Sequence, residues 1–145
     1  MTEMFLTRDE YHLKKWKKIY TKYDCPFCDQ ESQKWHIIWR WKYWYILHNI
    51  SPYSGNNQHI MAVPYIHKMY SFDLSKEEIG ELQDIYIFVK SFFWEKEYFS
   101  FTRESMANRS VEHLHIHFLV GKLQWKYLRK MLEKQGFPIS QELIL

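Results

Sequence analysis

The chain has 145 residues, with 20 Lys and Arg against 17 Asp and Glu and a net charge of +3. This length predicts one domain with its own core, and 46% hydrophobic against 26% charged residues excludes a disordered chain. No apolar run nears the ~20 residues of a bilayer span, and no long Lys/Arg block is present, so neither a membrane nor a specific nucleic acid is expected as partner.

The first residues carry no apolar stretch of the secretory type, which predicts a cytoplasmic protein. Aromatic residues reach 19%, more than a core of this size needs, and predict a buried subunit contact as well. Residues 8–20 (RDEYHLKKWKKIY) read as a helix with a partial apolar stripe and a solvated lysine face. A turn-like segment follows, holding the only two cysteines, Cys25 and Cys28, in CPFC. Two cysteines exclude a disulfide framework, leaving a redox pair, half a metal site or plain thiols in a turn. Nothing before Cys25 reads as the strand that a thioredoxin-like redox motif follows.

Residues 35–47 (WHIIWRWKYWYIL) are β-branched and aromatic and predict two strands or a bent hairpin, with its bend near Arg40–Lys42. A loop, HNISPYSGNNQ, leads to a strand over His59–Val63 that Pro64 ends. The best helix spans residues 75–98, with Ser75 as N-cap and Glu78 completing a capping box. A strand is expected around Tyr98–Thr102 and another over Val111–Val120, ended by Gly121. A last helix over Gln124–Gln135 stops at Gly136, and the tail ends in an apolar LIL suited to packing on a partner subunit. Strands and helices mix without βαβ alternation, so the class is α+β.

The chemistry concentrates in VEHLHIHFLV. Side chains alternate along a strand, so His113, His115 and His117 share one face while Leu114, Ile116 and Phe118 point into a core. Three imidazoles side by side cost stability if they charge together, so a purely structural role is disfavoured. Metal binding, nucleophilic catalysis, or a division of labour between them remains.

HLHIHFL resembles the histidine triad pattern, His-x-His-x-His followed by two apolar residues, of the nucleotidyl hydrolase and transferase superfamily. CPFC and the run NISPYSGNNQHIMAVPYIH resemble that family too, in order and spacing as well as residue type. The resemblance covers about residues 23–125 as the family core, with 1–22 a helical extension and 126–145 a C-terminal helix and tail. It implies a single antiparallel sheet of about five strands flanked by helices, in a homodimer.

It further implies that His115 is the nucleophile toward the α-phosphorus of a purine nucleotide, forming a nucleotidyl-histidine. By the same likeness, His117 and Ser110 assist at the phosphate and leaving group, and Asn49 holds the ribose hydroxyls. Leu47, His48 and Ile50 line the base pocket. The likeness to CxxC-bearing members implies one structural zinc per subunit, held by Cys25, Cys28, His67 and His113. It casts His59 as a hydrogen-bonding support for the nucleophile strand.

Two departures from the pattern are visible. Arg109 stands where a neutral amide is usual and would favour a more anionic substrate. Thr102 stands where an Asn or Gln is frequent. His117, rather than a Gln, argues for hydrolysis over sugar-nucleotide transfer. The expected reaction is cleavage of a nucleoside phosphoramidate or dinucleoside polyphosphate. The competing readings are a metal-dependent hydrolase using the three strand histidines as ligands, and a nucleotide-binding module without turnover.

Overall fold

The aromatic run after residue 35 folds back on itself as a hairpin. In the computed structural model, which describes residues 25–50, 58–105 and 111–136, β1 (Ile37–Arg40) and β2 (Trp44–His48) pair antiparallel, with a register shift between Ile37 and Trp39. Trp41 N–H closes the bend on Trp44 O at 2.8 Å. The bend aims three successive backbone N–H groups at one carboxylate. Glu81 Oε1 accepts from Tyr43 at 2.7 Å and Trp44 at 3.0 Å, and Oε2 accepts from Lys42 at 3.2 Å.

β3 (His59–Pro64) pairs antiparallel with β2, running one residue past the expected stop. Proline is tolerated there because a strand's end needs no further ladder donor. β4 (Tyr98–Phe101) and β5 (Ile116–Val120) complete a five-stranded antiparallel sheet of order β1-β2-β3-β5-β4. With the helices α1 (Lys76–Phe93) and α2 (Trp125–Lys134) the class is α+β, as expected. Short 3-10 turns occupy Gln30–Gln33 and Ser71–Asp73.

The capping box of α1 forms in both directions: Glu78 N–H donates to Ser75 Oγ at 3.1 Å, and Ser75 N–H donates to Glu78 Oε1 at 2.7 Å. Two boundaries differ from expectation. α1 ends at Phe93, not residue 98, because Trp94 turns to φ +55 and donates its N–H to Lys90 O at 3.0 Å. β5 begins at Ile116, not Val111. Leu114 N–H goes to Lys68 O at 2.6 Å, so residues 111–115 have left the β3 ladder. At the far end Gly136 takes φ +87, a left-handed conformation glycine adopts freely, and α2 stops there. The expected N-terminal helix, Ser110, Arg109 and the LIL tail lie outside the described residues.

The sheet separates two cores. Trp44, Ile46, Ile60, Ala62, Ile116 and Phe118 pack under Ile85, Val89 and Phe93 of α1. Trp44 is fully buried and donates its indole N–H to Glu78 O at 2.8 Å, so its one polar group is satisfied. The other face gathers Tyr45, Leu47, Met61 and Val63 against Cys25, Phe27 and Val111. The helix therefore seals one side, and the chemistry-bearing residues collect on the other.

Candidate active site and metal cluster

The CPFC turn is closed by Cys28 N–H and Asp29 N–H, both donating to Cys25 O, at 3.2 and 3.1 Å. It is bolted to the sheet by the buried Tyr45, whose hydroxyl donates to Phe27 O at 2.6 Å. His67 arrives from the loop after β3, and His113 from the stretch before β5. Cys25 Sγ and Cys28 Sγ stand 3.3 and 3.4 Å from His113 Nδ1, and Cys28 Sγ stands 3.3 Å from His67 Nδ1. All four ligand atoms fall within 4.8 Å of one another, close enough to hold one metal ion. A tetrahedral sulfur–nitrogen edge around zinc is about 3.5 Å, so this spacing needs little adjustment.

His113 is oriented for that task. Its Nε2–H donates to Pro64 O at 2.7 Å, which leaves Nδ1 with the lone pair, facing the thiols. Burial pushes the His113 imidazole down to about 4, and the neighbouring His67 imidazole adds to the effect. Burial likewise pushes the Cys25 thiol up to about 12, against the opposing pull of the Cys28 and Phe27 backbone N–H groups. Without a cation, then, burial favours the neutral forms of His113 and Cys25. A bound divalent ion would reverse the thiol preference, because the metal stabilises thiolate.

Two residues on, His115 donates Nδ1–H to the His113 carbonyl at 2.7 Å. In the neutral ring that bond fixes the tautomer, with the lone pair on Nε2. The His115 and His117 ring centres are 4.7 Å apart, so alternation does bring the rings to one side. His117 Nδ1 is 2.8 Å from His59 Nε2. The Asn49 amide lies 3.4 Å from the same His59 nitrogen, and Asn49 N–H donates to His59 O at 3.1 Å. Asn49, His59 and His117 therefore form a buried polar row behind His115.

Two phenyl rings bracket the histidines. Phe101 stacks flat on His117, with centroids 4.5 Å apart and planes at 7°, because β4 and β5 set these residues opposite each other. Phe27 lies 5.2 Å from His115 and 5.8 Å from His113, wedged between the thiol cluster and the histidine pair. The Arg103 guanidinium sits 6.0 Å from the Phe101 ring. None of these three was singled out in the sequence. Only the strand register could have flagged Phe101, and only its place between two cysteines could have flagged Phe27.

Of the residues expected to hold a nucleotide, Asn49 joins the polar row. Leu47 is fully buried on the same sheet face, and Ile50 packs beside it. His48 does not join them. It alternates to the helix side, where its ring is 6.1 Å from Phe92, and burial lowers its pKa with help from His36.

No protein-family model matches the chain, and no curated protein matches it. Solved structures do. A histidine triad protein from Clostridium difficile matches at TM-score 0.55 and 20% identity, over 72% of this chain and 96% of that one. A HIT family hydrolase from Legionella pneumophila Philadelphia 1 matches at TM-score 0.54 and 22% identity, over 70% and 96%. A histidine triad nucleotide-binding protein from Candida albicans matches at TM-score 0.56 and 15% identity, over 77% and 94%. At such identities the likeness is one of fold: the chain has the fold of the histidine triad proteins.

Proposed function

We propose that this chain is a histidine triad hydrolase that releases a mononucleotide from a nucleoside phosphoramidate or dinucleoside polyphosphate. The observation that carries the reading is the 2.7 Å bond from His115 Nδ1 to the His113 carbonyl, beside His117 at 4.7 Å between ring centres. A nucleophilic imidazole needs one nitrogen unprotonated and the other held by an acceptor. The His113 carbonyl supplies that acceptor to His115 Nδ1, so the neutral ring carries its lone pair on Nε2.

In the proposed reaction His115 Nε2 bonds to the α-phosphorus as the phosphorus–leaving-group bond breaks. The departing amine or phosphate is protonated from the His117 and Ser110 side. Water then cleaves the phosphorus–nitrogen bond, freeing the mononucleotide and restoring His115. Asn49 is the proposed ligand of the ribose hydroxyls, Leu47 and Ile50 flank a purine base, and Arg109 adds charge at the phosphates. His48, on the other sheet face, has no part in this scheme.

Cys25, Cys28, His67 and His113 are the proposed ligands of one structural zinc ion. Two thiolates and two imidazoles fill a tetrahedral shell and leave no position for water. The ion would tie the CPFC turn and the loop after β3 to the catalytic stretch, and no chemical step passes through it. A metal hydrolase built on the three histidines fits less well, because His113 turns its Nδ1 to the thiols. The active unit is a proposed homodimer.

A panel of adenosine and guanosine phosphoramidates and dinucleotides, assayed for mononucleotide release, tests this. His115→Ala is expected to lower turnover by at least about a thousandfold while fold and zinc content persist. Zinc lost with His115→Ala but retained with Cys25→Ser would instead favour the metal hydrolase. Tight mononucleotide binding by the wild type, with no turnover on any compound, would leave a binding module.

A further inference from the structure

Strand β4 reads YFSF, and its side chains alternate between the two sides of the sheet. Tyr98 packs with the core under α1. Phe99 and Phe101 point the other way, to the side that carries the histidines. The pairing of β4 with β5 sets Phe101 opposite His117, and the pairing of β3 with β5 sets Met61 on the opposite flank of His117. His117 is thus enclosed from both neighbouring strands and is buried.

At the edge of the His117 ring, Nδ1 lies 2.8 Å from His59 Nε2. A hydrogen bond there fixes the position of that nitrogen but only weakly constrains the tilt of the ring plane. Against the face of the ring lies Phe101, with the planes 7° apart and the centroids 4.5 Å apart. With carbon contacts at about 3.5 Å, that separation makes an offset stack, a favoured geometry for two rings. Phe99 stacks on Phe101 in turn, at 6.2 Å and 27°, so the phenyl wall is itself backed. Two other roles for Phe101 fit less well. The Arg103 guanidinium is 6.0 Å from its ring centre, at the outer limit of a cation–π contact. Phe101 is only half-buried, and among the described residues it belongs to neither core cluster.

We propose that Phe101 is a positioning residue for His117: its flat face sets the imidazole plane, and with it the direction in which Nε2 points. The proposal rests on the hydrolase reading, in which His117 assists at the phosphate and leaving group. A hydrogen bond weakens steeply once it is misaligned, so a ring left to tilt loses rate more than it loses binding. An aliphatic side chain at position 101 would fill the space but present no flat surface.

Phe101→Leu keeps the apolar bulk and removes the flat face, whereas Phe101→Tyr keeps both. On the phosphoramidate or dinucleotide that the wild type cleaves, Phe101→Leu is expected to lower kcat about tenfold with KM within about twofold, and Phe101→Tyr to retain the wild-type kcat. Circular dichroism confirms that each variant is folded. A second measurement needs no turnover. The phenyl face shifts the His117 ring-proton NMR signals upfield, and His117→Gln identifies them by their loss. In Phe101→Leu these signals are expected to move downfield and broaden, and in Phe101→Tyr to stay in place. Wild-type kcat in Phe101→Leu, a loss confined to KM, an equal loss of kcat in both variants, or His117 signals that ignore the loss of the ring would overturn the proposal. A wild type that cleaves nothing on the panel would end the hydrolase reading instead, and the NMR comparison would still decide whether Phe101 holds the imidazole.

Discussion

His113 lies between two demands: its Nε2 donates to Pro64 O at 2.7 Å while its Nδ1 faces two sulfurs at 3.3 and 3.4 Å. Protonating Nδ1 would place a charge in a buried pocket beside His67, which is why the group titrates near 4 rather than 6.5. In the metal-free chain the unfolded state therefore takes up the proton first as pH falls from 6.5 to 4. Stability is fully present above 6.5 and is lost on the way down, by about 3 kcal/mol for the whole gap. Cys25 acts at the other end. With its thiol raised to about 12 from 9.0, the unfolded chain releases that proton first as pH climbs through this interval, and stability falls again. Urea midpoints in the presence of a chelator, measured from pH 4 to pH 8, check the acid limb. A flat midpoint across pH 4–6.5 would mean that His113 is not buried neutral. Zinc-loaded protein is expected to gain stability between these limits, because the metal replaces the protons.

At the level of elements, the β1–β2 bend and α1 hold each other through Glu81, whose carboxylate takes three backbone N–H groups. Hydrogen bonds to a charged group are the stronger kind, and donors left without a partner near the core cost more than the bonds contribute. Glu81→Ala is expected to destabilise the fold by about 2 kcal/mol, and Glu81→Gln by less, since one acceptor oxygen survives. Urea denaturation of both variants reads this directly, and equal stability of Glu81→Ala and wild type would dismiss the clamp.

The same elements show what sequence pattern can and cannot reveal. The hairpin, β3 and the start of α1 were legible because β-branched runs, a proline and a Ser-x-x-Glu box are local signals. The end of α1 was not. Trp94-Glu95-Lys96-Glu97 contains no glycine or proline, and the chain turns there only because Tyr98–Phe101 must reach β5. Alternation in VEHLHIHFLV agrees with the His115 and His117 rings lying 4.7 Å apart, yet it is silent on where pairing begins, which Lys68 O decides by taking Leu114 N–H. The approach of Cys25 and Cys28 to His67 and His113 followed from the family resemblance rather than from spacing. Phe101 against His117 is a product of strand order that no short window contains.

At the scale of the whole molecule, β4 stands at one end of the strand order among the described residues, and a sheet edge invites pairing with another chain. The outer side of α1 adds Ile79 at 52% and Ile87 at 56% exposure, apolar side chains outside both core clusters, and Tyr86 at 46%, whose ring edge also reaches core residue Phe118. A stable dimer interface removes about 800 Å² from each partner, more than a helix face alone supplies, so strand edge and helix must act together. The expected species is a homodimer whose sheets join edge to edge across a two-fold axis, with the α1 helices packed beside the seam. Light scattering on the full-length chain, at concentrations on the order of 50 μM, is expected to give the mass of two copies. Ile79→Lys/Ile87→Lys places charge at the seam without touching the buried face of α1. It is expected to yield single copies with unchanged circular dichroism. A wild-type chain that runs as one copy at that concentration, or a double variant that remains paired, would show that this face of the molecule is not where two subunits meet.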